Sequence, residues 1–207
     1  VNENPAFPAR YETMKRILLS VALVSLLAGC ASTPTHTTNA CAVLNQKNGL
    51  VFNWRRSAKK AERKYGIPMP VILATIYTES GFRQRARPPR KKLLGFIPWK
   101  RPSSAYGYPQ AVNGSWEHYR RQTGHTSARR TSFDHAAKFI AWYHRESVRK
   151  NGVSPNDAYA LYLNYHMGHN AYARNHGHGS ASAIQGAHRM QTMAQRYDIQ
   201  LRNCGMR

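Results

Sequence analysis

An all-α fold is predicted for this chain on three observations. Apolar residues recur at spacings of three and four between residues that cap helices. One segment, residues 70–80, is apolar on nearly every side. No stretch shows the apolar–polar alternation of a half-buried strand.

The first helix opens after Asn53, an N-cap residue, carries Trp54, Ala58, Ala61 and Tyr65 on one stripe, and stops at Gly66. Pro68 and Pro70 then break the chain. A second helix runs from about Pro70 to Ser80 and ends at Gly81; Val71, Ile72, Leu73, Ala74, Ile76 and Tyr77 call for burial on most sides. A third fits residues 132–150, with Ser132 as N-cap, Phe133, Ala136, Ala137, Ile140, Ala141 and Val148 as its stripe, and Gly152 past its end. A fourth opens at Ser154-Pro155-Asn156-Asp157, an N-cap followed by Pro at N1 and an acid at N3, and runs to Gly168. A fifth spans about 181–197 and turns Ile184, Ala187, Met190, Ala194 and Tyr197 inward. Between the second and third, residues 83–104 are basic, Pro-rich and aromatic, contain no acid and lack a helical period. They read as a long surface loop, and such loops are often functional.

Ahead of the helices lies an address. Lys15 and Arg16 follow Met14, and residues 17–27 are apolar apart from Ser20 and Ser25, a run too short to span roughly 30 Å of hydrocarbon. With the ending Leu27-Ala28-Gly29-Cys30, this segment resembles the bacterial lipoprotein signal. The resemblance implies cleavage before Cys30 and a diacylated Cys30 as anchor, which is stable where a single chain is not. Ala31 follows, with no Asp to mark retention at the inner membrane, so the outer membrane facing the periplasm is expected. The domains are then residues 1–13, an over-extended start; 14–29, the signal; 30–50, the lipidated cysteine and a polar tether; and 51–204, one folded domain. The tether from Ala31 to Ala40 reaches at most about 35 Å when extended.

The formal net charge is +22, and the leader holds few of the charged residues. Such a field gathers polyanions. Nucleic acid is not expected as the partner of an exported chain; the anions at hand are peptidoglycan peptides, anionic lipids and wall polymers. Beyond Cys30 two cysteines remain, Cys41 and Cys204, in a compartment where disulfides persist. A bond between them would add about 4–5 kcal/mol in the chain-entropy model. His166-x-x-His169 has ligand spacing, but no further motif completes a site, so neither metal nor cofactor is expected. The domain is taken as a monomer.

Glu79 is the residue that invites chemistry. It ends the most apolar helix, beside the negative helix C-terminus, where an acid is unfavourable. Burial there raises a carboxyl pKa, as a general acid for glycosidic cleavage requires. The segment Ile76-Tyr77-Thr78-Glu79-Ser80-Gly81-Phe82 resembles the Glu-Ser motif of lytic transglycosylases with the goose-lysozyme-like fold. Ala105-Tyr106-Gly107-Tyr108-Pro109-Gln110 is similar to that family's Gly-Leu-Met-Gln-like segment, and Tyr162-Leu163-Asn164-Tyr165-His166-Met167-Gly168 to its Tyr-Asn-Ala-Gly-like segment. The likeness covers about residues 51–204. It departs at Pro109, at His166-Met167, and in the long spacing from Glu79 to Gly107, which fits a divergent branch whose basic loop helps wall the cleft.

The resemblance implies a lysozyme-like helical domain that acts on peptidoglycan glycan strands with Glu79 as single acid and base. Ser80 would bond Glu79 or the substrate acetamido group, Gln110 would bond the sugar, and Tyr165 would orient the acid or stabilise developing charge. Tyr106, Tyr108 and Trp99 are candidates to stack on sugar rings. No acid lies between Glu79 and Glu117, which favours transglycosylation over a two-carboxylate hydrolysis. The alternatives are a hydrolytic muramidase and a non-catalytic peptidoglycan-binding lipoprotein.

Overall fold

The computed structural model describes residues 34–48 and 52–207; the expected signal over 14–29 and Cys30 lie outside the described residues. The described chain is mostly helical, with strands confined to two antiparallel pairs. In order the elements are α1 (Ala40–Leu44), β1 (Lys47–Asn48), β2 (Phe52–Asn53), α2 (Trp54–Tyr65), α3 (Met69–Ser80), β3 (Lys92–Leu93), β4 (Ile97–Pro98), α4 (Asn113–Thr123), α5 (Phe133–Asn151), α6 (Ala158–Met167), α7 (His169–Arg174) and α8 (Ala181–Asn203).

The helix α3 forms because eight successive residues, Met69 to Ile76, are buried once α8, α5 and α2 close round them. Its start is fixed by the preceding helix: the Glu62 carboxylate accepts from the Met69 backbone N–H at 2.8 Å, replacing a side-chain cap that Pro68 cannot offer. Thr75, the polar residue in this run, donates to the Val71 carbonyl at 2.9 Å. With that proton spent, the buried His144 of α5 donates its Nε2–H to the Thr75 oxygen at 2.9 Å. Burial and the nearby His169 push the His144 imidazole down to about 3, so it is neutral in the core.

The expected caps hold at both ends of two helices. Asn53 accepts from Arg56 and Gly66 ends α2 at φ +70; Ser132 accepts from His135 and Gly152 ends α5 at φ +64. The fourth expected helix begins later than its Ser-Pro signal. Ser154 closes a turn by accepting from Asn156 at 3.2 Å, and Asp157 is the N-cap that accepts from Ala160 at 2.9 Å. The fifth runs on to Asn203, and Ile184 on it is exposed rather than turned inward.

The tether does not extend to residue 50. Ala40, Val43 and Leu44 of α1 are fully buried, and Gln200 of α8 clamps the approach to them. Its side chain accepts from the Ala40 N–H at 2.8 Å and donates to the Thr38 carbonyl at 3.2 Å, while the Tyr197 hydroxyl donates to the Thr37 carbonyl. Cys41 and Cys204 are joined as a disulfide across the same contact. The polar composition of this stretch hides its docking, because the bonds are made by its backbone.

Loop 83–104 contains a hairpin that its lack of alternation concealed. The strands β3 and β4 pair Lys92 with Pro98 and Leu93 with Ile97. Their three-residue loop, Leu94-Gly95-Phe96, is closed by the Phe96 N–H on the Leu93 carbonyl at 3.3 Å, with Leu94 and Gly95 at φ of +52° and +81°.

Candidate active site

A cleft of about 500 Å³ opens beside the end of α3. Glu79 forms part of its wall. Gln110, Ala111 and Val112 face it from the connection before α4, Phe139 and Tyr143 from α5, and Tyr165 to Gly168 from the end of α6. The helix α3 stops just after the acid because Gly81 takes φ +56 and returns its N–H to the Tyr77 carbonyl at 2.9 Å; Phe82 follows at φ +59 and is fully buried. This turn fixes the backbone that carries Glu79.

Desolvation lifts the Glu79 carboxyl to about 7, against the opposing pull of a hydrogen bond from the Tyr162 phenol and the charge of Arg189. The acid is half-buried, with one side open to the cleft and the rest enclosed by protein. Near neutral pH it is therefore present in both protonation states, which suits a group that must give and then take a proton.

The tyrosine whose phenol holds the Glu79 pKa down is Tyr162, one helical turn before the residue expected to orient the acid. Its ring fits because α8 presents Gly186: a Cβ there would stand 2.4 Å from Tyr162 Cε1 and 2.6 Å from its hydroxyl. A glycine inside a helix costs roughly 1 kcal/mol relative to alanine, so Gly186 was a signal available in the sequence. Tyr165 instead donates to the Pro109 carbonyl at 2.5 Å and packs edge-on against Tyr143, with ring centroids 5.0 Å apart. It lines the cleft and ties α6 to the segment that carries Gln110.

Gln110 also lines the cleft, at φ +49, with its Nε2 committed to the carbonyls of Ala86 at 2.9 Å and Gly107 at 2.8 Å. That leaves the amide oxygen as the atom free to turn to a ligand. The segment sits close against residue 130, since a Cβ on Gly107 would lie 2.3 Å from the Arg130 carbonyl oxygen. The Arg130 guanidinium in turn holds the Ala111 carbonyl at 2.7 Å and Asn113 Oδ1 at 2.9 Å.

Four expected site residues are elsewhere. Ser80 is buried and donates to the Ile76 carbonyl at 3.0 Å, so it reaches neither Glu79 nor the cleft; the helix turns it to the core. Tyr108 is fully buried, edge-on to Trp54 at 5.7 Å and to Phe133 at 6.1 Å, and anchors its segment by packing. Tyr106 lies between the guanidinium groups of Arg87, 4.3 Å away, and Arg130, 5.4 Å away, off the cleft wall. Trp99 stands half exposed on the hairpin, also away from the cleft. Of the basic loop only Ser103, near its end, reaches the cleft lining.

Every other acid among the described residues is occupied. Glu62 and Asp157 cap helices, and Asp134 pairs with Lys138. Glu117 holds Arg120 at 2.8 Å, and Asp198 holds Arg207 at 2.6 Å. Glu146 faces an adjoining hollow that shares Ser115 and Tyr143 with the cleft, but Arg149 binds it at 2.7 Å and keeps its carboxyl below the ordinary value. The cleft thus presents one carboxyl, and that carboxyl is poised near neutrality.

A helical domain with one such acid at a helix end, facing a cleft, has the group that general acid catalysis calls for. Residues 18–204 match the transglycosylase SLT domain family, and the chain belongs to it. It is a lytic transglycosylase of the SLT type, with a peptidoglycan-cleaving role at the bacterial cell envelope. No curated protein matches the chain.

Proposed function

We propose that Glu79 alone supplies the proton chemistry by which this protein cleaves the β-1,4 bond between N-acetylmuramic acid and N-acetylglucosamine. The protonated carboxyl gives its proton to the glycosidic oxygen as the bond from that oxygen to muramic C1 breaks, and the N-acetylglucosamine end leaves as an alcohol. The muramic acetamido oxygen stabilises the positive charge left at C1. The Glu79 carboxylate then takes the proton of the muramic C6 hydroxyl, whose oxygen bonds to C1. A 1,6-anhydro sugar forms, Glu79 is protonated again, and no water is consumed.

The observation that carries this reading is the one carboxyl that lines the cleft among the described residues, lifted to about 7 by burial. Hydrolysis by the usual route uses a second carboxylate to drive a water or to form a covalent intermediate; the other described acids are bound to partners. Gln110 Oε1 and Tyr165, which line the same cleft, hold the sugar against the acid. The test is release of soluble muropeptides from purified sacculi. Glu79→Gln is expected to abolish release while the circular dichroism of the fold is kept. Undiminished release would move the chemistry to another residue, and sacculus binding without release by the native protein would make it a binder.

The chain is further proposed to be acylated at Cys30 and held at the outer membrane facing the periplasm. The lipoprotein-like run from Met14 to Cys30 supports this.

A further inference from the structure

The hairpin of β3 and β4 is the feature that glycan cleavage leaves unused. Every residue from 89 to 104 is exposed, including Leu94 at 76%, Phe96 at 72%, Trp99 at 50%, Leu93 at 45% and Ile97 at 40%. These apolar side chains cluster at and just behind one turn, where a free soluble domain does not ordinarily keep them in water. The turn itself places a leucine at φ +52, a conformation that glycine or asparagine adopts at less cost. An apolar residue stands at the tip in spite of that strain.

Behind the tip the character changes to basic. Arg90, Lys91, Lys92, Lys100 and Arg101 flank the apolar residues, and the whole loop 83–104 contains no acid. The Lys100 ammonium lies 5.9 Å from the Trp99 ring centroid, so the aromatic and the cations share one level of the hairpin. The stem is held by its backbone: Lys91 N–H donates to the Lys100 carbonyl at 3.1 Å and Trp99 N–H to the Lys91 carbonyl at 2.6 Å.

We propose that this hairpin inserts its Leu94–Phe96 tip into an anionic lipid bilayer, with Trp99 at the headgroup level and the basic stem against the lipid phosphates. Apolar tip, interfacial tryptophan and cationic collar occur in the order that a membrane interface presents hydrocarbon, headgroup and surface charge. Each cation near an anionic surface strengthens partition about fivefold. Two paired residues per strand are too few to span a bilayer, so insertion is shallow. The loop that carries the hairpin also brings Ser103 to the cleft, so insertion would hold the cleft close to the membrane face. The inference is independent of the chemistry at Glu79 and of acylation at Cys30.

Trp99 supplies a local readout, because Trp54, Trp116 and Trp142 are buried. The full chain is titrated with vesicles of phosphatidylglycerol and phosphatidylcholine, and with phosphatidylcholine alone. Trp99 emission is expected to shift to the blue with the anionic vesicles and to be quenched by brominated acyl chains, while Trp99→Phe removes the response. Leu94→Ser with Phe96→Ser, at exposed positions where the fold is not at stake, should weaken the Trp99 response at least about tenfold. Neutral vesicles should weaken it by a similar factor. Vesicle binding with Trp99 emission unchanged would overturn the proposal, since contact would then lie elsewhere on the chain. An undiminished response in the Leu94→Ser, Phe96→Ser variant would reduce the hairpin to a basic patch and also overturn insertion. Blue-shifted emission with an acidic protein but not with vesicles would make the hairpin a protein-docking site instead.

Discussion

Glu79 is held where a carboxylate is least welcome, at the negative end of α3 and against enclosing protein. Its carboxyl is lifted from 4.5 to about 7, so between those pH values the folded protein binds a proton that the unfolded chain has released. Stability therefore falls as pH rises through this window, by up to about 3 kcal/mol from this group, a figure reduced by its opening to the cleft. Glu79→Gln removes that loss. The variant should unfold at a higher denaturant midpoint than the native protein at pH 8 and at a similar one at pH 4. The acid was legible because its apolar helix and following glycine are sequence features. Ser80 and Tyr108 were not, because a motif gives proximity to the site but not the direction in which a side chain points. Rotation about α3 sends Ser80 to the core, and the Trp54–Phe133 stack, 4.0 Å between centroids, captures Tyr108.

At the scale of elements, the site depends on the contact between α6 and α8. Gly186 lets the Tyr162 ring pass close to the α8 backbone, and the phenol lowers the Glu79 pKa. Tyr162→Phe removes that influence, so the Glu79 pKa should rise further and the alkaline fall in muropeptide release should move to higher pH. Gly186→Ala gains helix propensity of about 1 kcal/mol but forces the ring away, with overpacking that costs about 1–3 kcal/mol. It should cut release strongly and shift the same alkaline limb, whereas a purely structural role would leave the limb where it was. Long helices with paired caps were readable, as Asn53 with Gly66 and Ser132 with Gly152 illustrate. The helix α4 was not. Val112 gives it no side-chain cap, Gly114 sits in its first turn, and only Trp116 and Tyr119 are buried. It persists through tertiary ties such as Asn113 N–H to Ser104 Oγ at 3.0 Å.

For the whole molecule, the folded body begins well before residue 51. The clamp of Gln200 on residues 38–40 and the Cys41–Cys204 disulfide fasten α1 to the far end of the chain. Any tether from an acylated Cys30 is correspondingly short, and the enzyme would work close to one membrane face. Metabolic labelling with a tagged palmitate is expected to mark the native protein and to be lost in Cys30→Ser, with the protein released from the membrane fraction. Labelling that persists in that variant would move the acylation site elsewhere. Among the described residues no helix is long and apolar enough to cross a membrane. The cysteine pair was legible from count and compartment, whereas the docking of residues 37–40 rests on backbone atoms and leaves no trace in side-chain pattern.

The central claim is that one carboxyl, Glu79, cleaves the glycan with the substrate's own hydroxyl as nucleophile. Digestion of purified sacculi in water enriched in heavy oxygen, followed by mass spectrometry of the released muropeptides, tests it most directly. Products ending in 1,6-anhydromuramic acid and carrying no heavy oxygen are predicted. Reducing-end muropeptides with heavy oxygen at C1 would contradict it and make the protein a hydrolytic muramidase.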